Sequence, residues 1–347
     1  MNSLDQHRRT HHFGSSFVPR GHGRILALVA ALLGGACGPV AFAQTTPVVE
    51  QPVVITVEGD NSVLYRGDTF DISKIAKNPT PTTSTNQAFI ASINVGDVRT
   101  VNGQPAKGLW SYHTTLAMPF RASPQPGQPI ADMDSGGFIQ CVWHILSPDG
   151  RYVGTLIDSG ASPSPDHIVI GGSGAFQGMT GVHGMMQWLT APRGASTSED
   201  PANRRINGGG GKFRIVFYLY PRSRPNVVLT ANGPAVTHGD GKLVSTANPA
   251  QAGEILTLYA SGLGPTTPAV DFGQPFPQTA TLSKVNSPVE VRVNGQSAEV
   301  LYAGGYPGAV DAYQVNFRVP SGITSGTAAL YLTSAWIPGS EVRIAIR

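Results

Sequence analysis

The chain has 347 residues with 42 Gly, 28 Pro and 40% apolar residues, enough for packed cores and, by length, for two domains. Only 13% of residues are charged, which excludes long solvated helices and coiled coils. The formal charge is +3, but residues 1–43 hold Arg8, Arg9, Arg20 and Arg24 against Asp5 alone, so the remainder balances at 20 basic and 20 acidic residues; the basic excess of a nucleic-acid binder is missing.

The first element is an address. Residues 25–36 read ILALVAALLGGA, preceded by Arg20 and Arg24 and followed by Ala41-Phe42-Ala43. A basic flank, a short apolar core and a small-x-small site predict a secretory signal peptide cut after Ala43. The run is shorter than the roughly 20 residues of a transmembrane helix. Arg8-Arg9 raises twin-arginine export as an alternative, but the pair lies far from the apolar run. Cys37 raises a lipoprotein site, with Gly34 where such sites prefer Leu. Removal of Cys37 leaves Cys141 alone, which excludes an internal disulfide and predicts a small buried hydrophobe on a strand.

The mature chain reads as strand nearly throughout. Residues 71–78 (DISKIAKN) suit a turn or two of helix with Asp71 as N-cap. Short β-rich runs bounded by Gly, Pro, Asn and Asp are expected near 52–58, 63–66, 87–95, 97–102, 107–118, 136–146, 151–157, 166–171, 181–190 and 211–220. Residues 191–211 (APRGASTSEDPANRRINGGGG) have no periodicity and read as a mobile loop, either a lid or a disordered segment. Pro221-Arg222-Ser223-Arg224-Pro225 marks a domain boundary. A second series follows near 226–230, 242–245, 253–260, 289–293, 298–303, 311–319, 327–333 and 340–346. Val101-Asn102-Gly103-Gln104 and Val293-Asn294-Gly295-Gln296 share one tetrapeptide, which reads as repeated hairpin-turn chemistry rather than an internal repeat.

No catalytic motif stands out. Gly171-Gly172-Ser173-Gly174-Ala175 lacks the final Gly of a nucleophile elbow, and no βαβ unit surrounds it as a dinucleotide loop would need. His113, His144, His167, His183 and His238 show no metal-ligand spacing, so no metal and no cofactor is expected; only distant residues could assemble a metal site. Asp149, Asp158, Asp166 and Asp240 sit beside turn residues. Alternation places Trp110, Tyr112 and Thr114 on one face of their strand. On the next strand Phe138, Gln140, Val142 and His144 share one face, and Ile139, Cys141, Trp143 and Ile145 the other. Residue type and strand placement nominate Trp110, Tyr112, His144, Trp188 and Tyr218 as the lining of a barrel ligand pocket; an ordinary packed core is the competing reading.

Residues 168–182, IVIGGSGAFQGMTGV, run a hydrophobic strand into G-G-[ST]-G-x-F-x-G-x-x-G, with Gly171, Gly172, Gly174, Phe176, Gly178 and Gly181 at the motif positions. This resembles the allene oxide cyclase and dirigent-like β-barrel superfamily. The resemblance implies an eight-stranded barrel with its core near 87–220, an apolar cavity that constrains a reactive small molecule, and dimers or trimers. It assigns no catalytic residue. Tyr259-Ala260-Ser261-Gly262-Leu263-Gly264-Pro265, Val293-Asn294-Gly295, Tyr313-Gln314-Val315-Asn316 and Val319-Pro320 resemble the TIG-like C-terminal module of exported bacterial proteins, which implies an immunoglobulin-like sandwich.

The expected architecture is all-β: a signal peptide at 1–43, an eight-stranded antiparallel barrel at 44–221 and an immunoglobulin-like β-sandwich at 222–347. The expected function is binding of a small apolar or aromatic molecule outside the inner membrane, in the periplasm, on the cell surface or beyond it. The sandwich would then be a spacer or surface-association module. The alternatives are a cyclase or dirigent-type enzyme and a structural or adhesion protein with a filled barrel. Expected partners are a small apolar ligand, a second copy of the chain through the barrel and a cell-surface partner for the sandwich, with no nucleic acid and no transmembrane segment.

Overall fold

Strand β10 (Gly211–Tyr220) shows why this chain makes a barrel. Gly211, Phe213, Ile215, Phe217 and Leu219 are buried, while Lys212, Arg214, Tyr218 and Tyr220 face out. That period of two gives a strand one apolar face to hide. The computed structural model describes residues 51–66, 89–117, 136–162, 167–196, 199–206, 209–278 and 281–347; the expected signal segment and the helix at 71–78 lie outside them.

Ten strands form the first sheet. They are β1 (Val53–Arg66), β2 (Phe89–Val101), β3 (Gln104–Ala117), β4 (Gly136–Leu146), β5 (Tyr152–Ser162), β6 (His167–Gly174), β7 (Thr180–His183), β8 (Gln187–Trp188), β9 (Arg193–Ser196) and β10. Strands β1 to β7 and β10 pair antiparallel in a ring that closes where β1 meets β10, with Val57 opposite Ile215. Closure removes the exposed sheet edges. The two runs expected at 52–58 and 63–66 are one strand, bent by a bulge between Gly59 and Ser62. The runs at 87–95 and 97–102 are likewise continuous in β2.

The segment 191–211 is more ordered than its composition suggests. Its first part is β9, parallel to β1 with Val63 opposite Arg193. A short 3-10 helix, Pro201–Arg205, follows, capped by Asp200. Asp97 holds it: its carboxylate accepts from Arg204, from Arg205 Nε and Nη2 at 2.7 Å each, and from Asn61 Nδ2 at 3.0 Å. The glycines at its end answer to space. A Cβ on Gly210 would stand 2.3 Å from Ser62 O, so only glycine lets the chain pass there.

Residues 222–347 build a second, curled sheet. Its main path runs through 226–227, 255–261, 313–318, 296–305, 289–293, 326–334 and 337–338. The long strand 296–305 pairs with both 289–293 and 313–318. Leu256, Leu258, Val291, Val293, Val315, Phe317, Leu330 and Leu332 from the two sides share one core. Asn102 and Asn294 both take positive φ, 49° and 47°, before a glycine that does the same. Each also accepts a backbone N–H from a neighbouring strand, Thr56 and Ala329 respectively, at 2.8 Å. The shared tetrapeptide is thus one turn device used twice.

Residues Glu50–Arg347 form one compact unit. The hairpin turn Ala335-Trp336 of the second sheet packs into the barrel core cluster. Trp336 Nε1 donates to Gln104 Oε1 at 2.8 Å, and Asn286 Nδ2 donates to Tyr152 O at 2.9 Å. The glycine motif closes the same end: Phe176 is fully buried, and Gly174, at φ 62°, makes the turn that brings it there.

Candidate functional site inside the barrel

The middle of the barrel is aromatic. Trp110 on β3 stacks on Trp143 of β4 at 5.2 Å between ring centroids, and Phe213 and Phe217 of β10 meet these rings edge-on or tilted. Trp110, Trp143, Phe213 and Phe217 expose no surface, so no water-sized space borders them. Such rings bury large apolar area and favour these geometries.

One wall is polar and unsatisfied. Ser62 Oγ on β1, Asn94 Oδ1 on β2, and Trp110 Nε1 and Thr114 Oγ1 on β3 are buried without a protein hydrogen-bond partner. They are neighbours by register, since Asn94 faces Tyr112 and Gly96 faces Trp110. A buried orphan of this kind costs about 1–3 kcal/mol, and native interiors hold few.

The adjoining wall carries a charged cluster centred on Asp158 of β5, which is fully buried. Asp158 Oδ2 accepts from Trp143 Nε1 at 2.7 Å. Its Oδ1 lies 3.0 Å from His167 Nδ1 on β6 and 3.0 Å from His183 Nε2 on β7. Cys141 Sγ on β4 lies 3.9 Å from the same His167 nitrogen. His183 Nδ1 faces Gly184 O at 2.8 Å and must donate to it. Its Nε2 faces Asp158 Oδ1. Burial pushes the Asp158 carboxyl up, but the bonds from His167 and His183 outweigh it and hold the group well below the ordinary carboxylate range. Burial, then the Asp158 charge, pushes the Cys141 thiol far up, so it is no nucleophile as it stands. Gly160 makes the cluster sterically feasible: a Cβ there would sit 2.2 Å from the His167 ring.

The five nominated lining residues scatter. Trp110 and Tyr112 face inward as alternation requires, stacked 6.1 Å apart. Trp188 stands where β8 pairs with Phe213, its ring 6.2 Å from Trp110 and 38% exposed. His144 is exposed on the outer face of β4, its Nδ1 3.0 Å from Thr155 Oγ1. Tyr218 also points out of β10. Asp158, His167, His183 and Cys141 were not nominated. Asp158, read as a turn residue, lies mid-strand because β5 runs on through Asp158-Ser159-Gly160-Ala161-Ser162, a stretch of weak strand formers. A visible signal was that Cys141 shares a face with Trp143.

No protein-family model matches the chain, and no curated protein matches it. Among solved structures, the N-terminal domain of the Streptococcus gordonii adhesin Sgo0707 is similar at 10% identity, over 86% of this chain and 93% of that one, with a TM-score of 0.16; a superposition that weak carries no argument. Among the described residues no helix is long and apolar enough to cross a membrane.

Proposed function

We propose that the barrel binds a small molecule with a flat apolar body and several hydrogen-bonding groups. The observation that carries this reading is the row of buried polar atoms at Ser62, Asn94, Trp110 and Thr114 without protein partners. Such a ligand would stack on half-buried Tyr112 and on Trp188, and would reach the row only by opening the packing around Trp110, which borders no water-sized space as it stands. The polar row makes the ligand more polar than an apolar cavity alone would select.

The reading places the protein outside the inner membrane, supported by the signal-like residues 20–43. The second sheet, on its TIG-like motifs, is an immunoglobulin-like spacer or surface module. A homo-oligomer is supported by an outer apolar row in register across four strands, Ile168, Val182, Tyr218 and Val54, each more than a third exposed.

The test is a titration of the protein with hydroxylated aromatics, such as naphthols and phenolic acids, read by tryptophan fluorescence and melting temperature. Binding at a hundredfold excess over Kd stabilises the fold by about 2.7 kcal/mol. A saturable shift that weakens in Asn94→Leu supports the reading. No shift across the set, with the barrel folded, overturns it in favour of the structural or adhesion role.

An enzyme is the second reading, favoured by one geometry. Asp158 orients His167 through Nδ1, the arrangement that prepares an imidazole for proton transfer. Within it His167 is the acid–base group and Asp158 its positioning residue.

A further inference from the structure

The cluster around Asp158 joins side chains of four consecutive strands, β4 to β7. Cys141, Asp158 and His167 bring a sulfur, an oxygen and a nitrogen donor all within 4.8 Å of one another. His183 Nε2 approaches the same Asp158 oxygen at 3.0 Å. Burying a carboxylate, a thiol and two imidazoles in an apolar barrel is costly unless they are used together. We propose that these four side chains form a zinc site.

Two details beyond the donor count point to a metal. His183 gives its Nδ1–H to Gly184 O at 2.8 Å, which fixes the tautomer and aims the Nε2 lone pair into the cluster. That backbone anchor is what ligating histidines use. Trp143 Nε1 occupies Asp158 Oδ2 at 2.7 Å, leaving Oδ1 turned to the other donors. A ligating carboxylate is held in the same way by an outer partner.

Geometry and charge choose the ion. Tetrahedral zinc with bonds of about 2.0–2.3 Å sets its donors about 3.3–3.8 Å apart. The separations of His167 and His183 from Asp158, 3.0 Å each, and of Cys141 from His167, 3.9 Å, bracket that range, and the sulfur, oxygen and His167 nitrogen all lie within 4.8 Å of one another. One thiolate and one carboxylate neutralise a divalent charge in the dry interior. The soft sulfur and the two nitrogens exclude calcium and magnesium, which take oxygen donors. On binding, the thiol proton and any proton held at His183 Nε2 leave to solvent, and His167 carries its proton on Nε2 rather than Nδ1, so that Nδ1 binds. His167 then becomes a ligand, so metal dependence separates this site from the acid–base reading above. The zinc site itself does not depend on the small-molecule reading.

The test uses the chelator-treated protein titrated with cobalt(II) and zinc(II). Cobalt should give a thiolate-to-metal charge-transfer band saturating at one equivalent, and zinc should displace it and raise the melting temperature. Cys141→Ser should abolish the band, and His183→Gln should weaken zinc affinity about tenfold or more. X-ray absorption at the zinc edge of the unsubstituted protein needs no variant: one sulfur at about 2.3 Å with nitrogen and oxygen neighbours is expected. No stoichiometric uptake by the folded protein, a band that survives Cys141→Ser, or a sulfur-free zinc shell overturns the proposal.

Discussion

Trp143 Nε1 donates to Asp158 Oδ2 at 2.7 Å inside the barrel, and neither side chain reaches water. The pair ties the aromatic middle to the charged cluster. A hydrogen bond to a buried charge is worth about 1.5–3 kcal/mol. Trp143→Phe keeps one aromatic ring in the stack, removes that bond and leaves a small cavity. It should destabilise the protein by about 2 kcal/mol in urea unfolding. A change under half that would mean that the carboxylate finds a replacement donor.

Trp110 makes the opposite prediction. Its indole N–H is buried without a protein partner, so Trp110→Phe removes an unsatisfied donor. Stability of the free protein should fall by no more than the cost of the small cavity left, about 1 kcal/mol, while stabilisation by a bound aromatic ligand should shrink. Paired melting curves with and without ligand measure both. Destabilisation of the free protein by more than about 2 kcal/mol would show that the N–H is satisfied in solution.

The barrel and the second sheet should unfold together. Trp336, 9% exposed, lies in the barrel core cluster and donates to Gln104. Trp336→Ala should cost about 3–5 kcal/mol and lower one shared calorimetric transition. Two separate transitions in the parent protein would contradict this coupling.

Acid should release the 200–206 segment. Burial raises the Asp97 carboxyl, but bonds from Arg205, Asn61 and Arg204 outweigh it and set the group at about 2, against an ordinary 3.8. A depressed folded value contributes stability above the unfolded pKa and loses it as pH falls through the folded one. The contribution is about 2 kcal/mol at neutral pH and should fade between about pH 4 and pH 2. Asp97→Asn should remove that part of the acid dependence in pH-stepped unfolding.

His238 carries the opposite sign. Burial lowers its pKa, but the bond to Glu254, 2.5 Å from Nδ1, raises it overall. This pair therefore stabilises fully below the ordinary imidazole range and is lost as pH rises through the raised value. The His238→Gln protein should differ most from the parent in mildly acidic buffer and converge on it in alkaline buffer.

Much of the fold was legible in the residues alone. Strands β4 and β10 and the strand 289–293 stand where alternation put them. The two Asn-Gly turns adopt the positive φ that their composition demands. Phe176 is buried behind its glycine turn, as the motif implied. These are local facts: a period of two, a turn that needs glycine, a ring with nowhere polar to go. The site was not legible because its chemistry is not local. Asp158 looked like a turn residue, and His167 and His183 looked unrelated, until the sheet register set His183 opposite His167 and Cys141 opposite Asp158. His144 and Tyr218 point out of the barrel, since residue type does not say which face of a strand closes inward. The sequence by itself determined the strand content, the turns and the supply of aromatic and histidine side chains. Only the tertiary structure decided which of them share the barrel interior, because ring closure, bulges and register act between segments far apart in the chain.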